Sequence, residues 1–308
     1  MNMNETLTLA ALMLAPALFS LLGMGAFGSP IVAVLGELAA KAKARVFYDK
    51  YGQQTASMGL ILLLILLTIY GAAIGIALVK FPQLIQTFLT PTSPIFSAFI
   101  ALGVFIVLGL PYFLTWKKMR NSKGMHIAMG VGASIAALTG ISIAVPAKLA
   151  IGMSTEAAQS EAALSAMAMA LPLAAMYSIL IISAAAALSS TYLVIRRNKD
   201  DFGRDYYNFA LKLAARWAAI PMIGFLGCQG WLLLVLPESI KTITLSTPLG
   251  IVWGVAVALG AICTVIWILI ARSKAPLQLK GLTFLALGLF WLMHTMNATL
   301  FMNFMSMF

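Results

Sequence analysis

The sequence predicts an all-α fold, a polytopic membrane protein made of one bundle of eight transmembrane helices with both termini outside. Three observations carry this. Of 308 residues, 62% are hydrophobic and only 9% charged, with a mean hydropathy of +0.98, where an ordinary soluble domain is about 25% charged. Apolar runs long enough to cross a bilayer recur along the whole chain. Basic residues gather in every second gap between those runs. This composition excludes a water-soluble enzyme, a disordered chain and a fibrous repeat.

A spanning helix needs about 20 apolar residues. Eight segments meet that length: Leu7–Gly28, Thr55–Val79, Ile95–Trp116, Met125–Ala147, Ala163–Ile195, Phe209–Leu236, Gly250–Ala271 and Gly281–Phe301. The first apolar run continues past Pro30 to Ala40. At 1.5 Å per residue that run is roughly 51 Å long against a core of about 30 Å, so the helix must tilt and kink at Pro30 or bend onto the inner interface. No Lys or Arg precedes Lys41. The start therefore lacks the basic n-region of a signal peptide, and the first span is expected to be kept.

The loops set the orientation. Lys41, Lys43, Arg45 and Lys50 follow span one, and Lys117, Lys118, Arg120 and Lys123 follow span three. Arg196, Arg197, Lys199 and Arg204 follow span five, Lys212 and Arg216 open span six, and Arg272, Lys274 and Lys280 follow span seven. That places 17 basic residues on one side and only Lys80, Lys148 and Lys241 on the other. Under the positive-inside rule the even-numbered spans run from inside to outside. The net charge of +11 is this topological bias and gives no basic domain for nucleic acid.

The outer loops, Phe81–Pro94, Lys148–Ala162 and Pro237–Pro248, are short. The middle one carries Glu156 and Glu161 and reads as a surface helix. Small residues cluster at Gly71–Gly75, Gly130–Ser134 and Ser183–Ser190, where helix backbones can approach closely, and packing within the bundle is the expected use. Residues 1–308 form a single transmembrane domain.

Ionisable residues deep in a span are functional candidates by default, and few occur here. Glu37 stands four residues before Lys41, the spacing of an interfacial helix pair. Lys212 and Arg216 lie within two turns of the inner surface and can snorkel. Cys228 and Cys263 sit in apolar runs and read as small hydrophobes. His126 opens span four; His294 lies about thirteen residues into span eight, beside Thr295 and Asn297. The two differ in depth by roughly 18 Å, which excludes one bis-histidine haem between them. A His/Met haem at His294, with Met13 or Met169, remains open, as does a structural role for both histidines. No phosphate loop, zinc spacing or nucleophile elbow occurs, so no catalytic or metal set is assigned.

Five features make residues 1–217 resemble subunit I of the cytochrome bd quinol oxidases. They are Pro16 in a long first helix that reaches Glu37, Ala44–Lys50 opening the second, and Leu114-Thr-Trp116 before a basic loop. The fourth helix begins at His126 with a small-residue run to Ser134, and the fifth ends in Tyr192–Arg197. Residues 218–308 add further transmembrane helices. The departures are as informative. The family's haem-ligating histidines would fall near Ala11 and Pro172, the third helix lacks the family's glutamates, and Pro237–Pro248 is too short for the family's quinol-oxidising loop. The resemblance implies a haem-poor or haem-free integral membrane subunit of a respiratory electron-transfer complex in a bacterial inner membrane. Its partners would be cytochrome or iron–sulfur subunits, with quinone at its helix faces. If a haem b or a quinone is held, His294 and His126 are the candidate contacts. A small-solute or ion transporter is the alternative, to be recognised by repeats, broken helices and buried polar residues.

Overall fold

The computed structural model describes residues 2–151, 161–200 and 202–306. Eight helices among them are long and apolar enough to cross a membrane, so this is a multi-pass membrane protein. They are α1 (Met3–Lys43), α2 (Val46–Lys80), α4 (Pro94–Leu114), α5 (Lys123–Ile151), α6 (Glu161–Asp200), α7 (Arg204–Val235), α9 (Pro248–Arg272) and α10 (Lys280–Ser306). Two short helices, α3 (Pro82–Phe88) and α8 (Glu238–Ser246), sit in loops that the composition alone reads as plain connections. Of the acidic loop, residues 152–160 lie outside the described residues, while Glu161 opens α6.

Local sequence explains the helix ends. The side chain of Asn2 accepts from the Glu5 backbone N–H and the Glu5 carboxylate accepts from the Asn2 N–H, both at 2.9 Å, which closes a capping box on α1. Pro82, Pro94 and Pro248 stand in the first turns of α3, α4 and α9, where a missing N–H costs nothing. Gly203, at φ +84°, makes the turn between α6 and α7 that a side chain would strain.

The helix does not end at Pro30. α1 continues as one helix through Pro16 and Pro30 to Lys43, so the long apolar run projects beyond the membrane core as helix. The hydroxyl of Ser29 donates to the Gly25 carbonyl at 2.6 Å, one turn back, beside the site where Pro30 interrupts the ladder.

α1 is the central strut, packed against α2, α5, α6 and α10. It crosses α6 at Gly28, where a β-carbon would collide with the Ile181 carbonyl and the Ala185 methyl. The largest apolar core joins α6, α7, α9 and α10 around Met176, Phe225, Trp267 and Phe290. A second joins α1, α2, α4 and α5 around Phe105, Tyr112 and Phe113. The loops after spans one, three, five and seven meet at one end, which we call the basic end. There Asp49 pairs with Lys123, and Gln54 on α2 joins Asp200 on α6 with Tyr206 on α7.

One small-residue cluster departs from the packing expected of it. Gly130 lies against the Tyr112 ring and Val34, and Ser183–Ser190 is mostly buried. Gly71 and Gly75, by contrast, have no atom of another element within 4 Å of a notional β-carbon among the described residues. From Leu67 to Lys80, α2 is exposed except for half-buried Ile69 and Ala77. The far half of α2 therefore leaves the bundle and presents its small-residue face outward.

Candidate functional site

The basic end buries a carboxylate. Glu37 is 2% exposed and His126 is 1% exposed. Their sequence separation is 89 residues, yet His126 Nδ1 lies 2.9 and 3.1 Å from the two Glu37 oxygens. The other ring nitrogen, Nε2, is 2.9 Å from the Tyr112 backbone carbonyl and so must donate to it. The Tyr112 hydroxyl donates to Glu37 Oε2 at 3.1 Å. Lys123 Nζ stands 3.6 Å from Glu37 Oε1 and also pairs with Asp49.

Three helices build this geometry. Glu37 occupies the last turns of α1, Tyr112 the last turn of α4, and His126 the first turn of α5. The positive end of the α5 dipole favours a carboxylate there. Tyr112 and Trp116 bracket the imidazole at ring-centroid distances of 4.5 and 4.8 Å. Counting donors fixes the chemistry. Because Nε2 donates to a carbonyl, one proton must lie between Nδ1 and Glu37, on one atom or the other. The pair is thus a proton-holding dyad, screened from water by aromatic rings and linked to the surface through Lys123 and Asp49. The sequence reading paired Glu37 with Lys41 at the interface; its partners are His126, Tyr112 and Lys123, brought by two other helices.

Deeper in the bundle a second polar network crosses five helices. Trp253 Nε1 on α9 donates to Gln229 Oε1 on α7 at 2.7 Å. Gln229 Nε2 reaches Asn297 Oδ1 on α10 and Met176 Sδ on α6, each at 3.1 Å. Asn297 Nδ2 donates to the Tyr177 hydroxyl at 3.3 Å. Tyr177 stands edge-on to His294, and His294 Nε2 meets Ser20 Oγ on α1 at 3.1 Å. His294 is 1% exposed, and its Nδ1 has no hydrogen-bond partner among the described residues. Thus His294 and Asn297 belong to one region, while His126 lies in the separate basic-end site. Gln229, Tyr177, Ser20 and Trp253 were not singled out from sequence. The signal for Gln229 was present, since it is an amide deep in an apolar run.

The donor set can be tested against a haem. His126 cannot ligate iron without surrendering Glu37 or the Tyr112 carbonyl. His294 offers one unpartnered nitrogen. Of the methionines at a compatible depth, Met169 is buried and Met13 half-buried. Ala11 is exposed and Pro172 buried, and neither side chain carries a donor atom. Among the described residues no three His, Cys, Asp or Glu side chains group as a metal site. His294 Nδ1 is thus the one histidine nitrogen among the described residues free to contact a cofactor.

Comparison with known proteins adds the fold. No protein-family profile matches the sequence, and no curated protein matches it. Among solved structures, the chain is similar to the bd oxidase from Geobacillus thermodenitrificans, with a TM-score of 0.70 at 14% identity. The match covers 98% of this chain and 88% of that one. At that identity the likeness is one of fold, and it extends beyond residue 217 to nearly the entire chain.

Proposed function

We propose that this chain is a haem-poor or haem-free integral membrane subunit of a bd-type respiratory electron-transfer complex, descended from the subunit I scaffold and anchoring redox partner subunits in a bacterial inner membrane. One observation carries the reading. The chain shares a fold with a bd oxidase over 98% of its length, while the places where the family resemblance puts the haem-ligating histidines fall near Ala11 and Pro172, which carry no ligand atom. The basic loops would face the cytoplasm, with both termini outside.

Two features support an anchoring role. The bare half of α2, with Gly71 and Gly75 uncovered, is the kind of surface on which a partner's transmembrane helix packs. The spans run unbroken through Pro16, Pro111, Pro172 and Pro221, which weighs against a transporter built on discontinuous helices. Within this reading His294 is the residue to contact a quinone or a single haem b, through Nδ1. His126 holds Glu37 and takes no cofactor.

A reduced-minus-oxidised spectrum, recorded on the affinity-purified complex and on the chain alone, tests this. The expected result is haem or iron–sulfur signal in the complex, carried by co-purifying partners, and no carbon-monoxide-sensitive band in the chain alone. A carbon-monoxide-shifted band in the isolated chain would overturn the reading. Retention of quinol-linked activity in His294→Gln would remove the role of His294 and leave the scaffold assignment standing.

A further inference from the structure

Between α1, α4 and α5 the bundle leaves a cavity of about 270 Å³. Its walls are apolar except at one point, Lys148. Phe27 and Phe105, packed edge to face with ring centroids 4.9 Å apart, stand at its deep end. On α4 the lining runs from Ile95 to Phe105, about 15 Å of helix; on α5 it runs from Ala136 to Lys148, about 18 Å. Half of a ~30 Å hydrocarbon core is about 15 Å. The cavity therefore has the length of one leaflet, with a cation at headgroup depth and aromatic rings near the midplane. It is open to the bilayer beside Phe99, which is 38% exposed.

Size decides what kind of body fills it. Counting all the empty space between the walls, including the part open to the outside, gives about 750 Å³. A helix of about 10 Å diameter would need more than ~1,000 Å³ for the same length. A single hydrocarbon chain fits and a partner helix does not. Charge decides the headgroup. Lys148 makes no ion pair or hydrogen bond among the described residues. A lysine at the membrane surface draws an anionic lipid.

We infer that this groove is a binding site for one anionic phospholipid, which lays an acyl chain between α4 and α5 and sets its phosphate on Lys148. The small side chains Ala136, Gly140 and Ala144 keep the trough open. Lys148 selects the headgroup, and the apolar walls hold the chain without selecting it. The inference is independent of any redox role for the protein.

The test uses the full chain in detergent, challenged with phosphatidylglycerol or phosphatidylcholine of identical acyl chains, with retained lipid counted by native mass spectrometry. The expected result is one slowly exchanging lipid, with phosphatidylglycerol favoured roughly fivefold. Lys148→Gln should bring that preference to about one while keeping a lipid bound, and Lys148→Arg should restore it. Ala144→Leu should reduce retention of both lipids, with thermal unfolding confirming that the variant is folded. Equal retention of the two lipids by the unaltered chain would overturn the proposal. So would an anionic preference that survives Lys148→Gln, an undiminished lipid in folded Ala144→Leu, or a neutral isoprenoid that displaces both lipids.

Discussion

Removing the Glu37 carboxylate should be among the most damaging single changes available to this chain. Glu37→Ala leaves His126 Nδ1 and the Tyr112 hydroxyl facing each other across a space that water does not reach. Each buried polar group left without a partner costs about 1–3 kcal/mol, and Glu37→Ala orphans two of them. We therefore expect a loss of about 2–6 kcal/mol. His126→Ala should cost less, because Glu37 keeps Tyr112 at 3.1 Å and Lys123 at 3.6 Å. The double variant should be less damaging than the sum of the two by about 1–3 kcal/mol, since the second removal deletes a group that the first had already orphaned. The assay is thermal unfolding in detergent followed by tryptophan fluorescence, with Trp116 as a local reporter at 4.8 Å from the imidazole. At a few degrees per kcal/mol the midpoint of Glu37→Ala should fall by roughly 10 °C. A midpoint within about 2 °C of the unaltered chain, or strict additivity in the cycle, would refute the dyad as the lock of α1, α4 and α5.

Three further outcomes are expected. Gln229→Leu removes the acceptor of Trp253 and the donor to Asn297, and should lower stability by about 2–4 kcal/mol, whereas His294→Gln gives up a single bond to Ser20 and should lose no more than about 1.7 kcal/mol in the same unfolding assay. Leucine at Gly71 and Gly75 should leave the folded chain unchanged, because among the described residues no other element comes within 4 Å of a β-carbon there, while co-purification of partner subunits falls severalfold. Cysteines placed at the exposed Ser122 and Ser246 should react with a membrane-impermeant reagent from opposite sides, Ser246→Cys in intact cells and Ser122→Cys only after lysis.

What the sequence made legible follows from which signals are local. Eight spans could be read because each is a continuous apolar run whose length a bilayer dictates, and the structure places a long helix over every one. The run past Pro30 could be recognised as too long, but not as one continuous helix, because whether a proline breaks a helix depends on what packs around it. Glu37 shows the limit more sharply. Its nearest opposite charge in sequence is Lys41, and an i,i+4 pair is the natural local inference. The partner that decides its chemistry is 89 residues away, and only the crossing of α1 with α5 brings it there. Small-residue clusters carried the same ambiguity. Gly130 and Gly71 look alike along the chain, yet one is pressed against Tyr112 and the other meets no other element among the described residues.

These placements divide the molecule into a densely tied part and a more open part. The helices α6, α7, α9 and α10 share the largest core, and the Trp253–Gln229–Asn297 chain ties them at depth, so little there can move without orphaning a buried amide. The basic ends of α1, α4 and α5 are tied by the Glu37–His126 dyad. Away from that end the same α1, α2, α4 and α5 side loosens: α2 stands free beyond Leu66, and the Lys148 trough opens between α4 and α5. Bare small-residue helix and lipid-sized groove thus lie on the half of the bundle with the smaller core, away from the polar lock. Under the proposed anchoring role this arrangement is useful, because the exposed half of α2 can accept a partner helix while the rest of the bundle keeps its register. The arrangement can be broken in one direction only. Leucine at Gly71 and Gly75 should detach partners without unfolding the chain, whereas Glu37→Ala should unfold the chain before any partner is lost; the reverse order in a co-purification and melting series would show that the two regions are one cooperative unit.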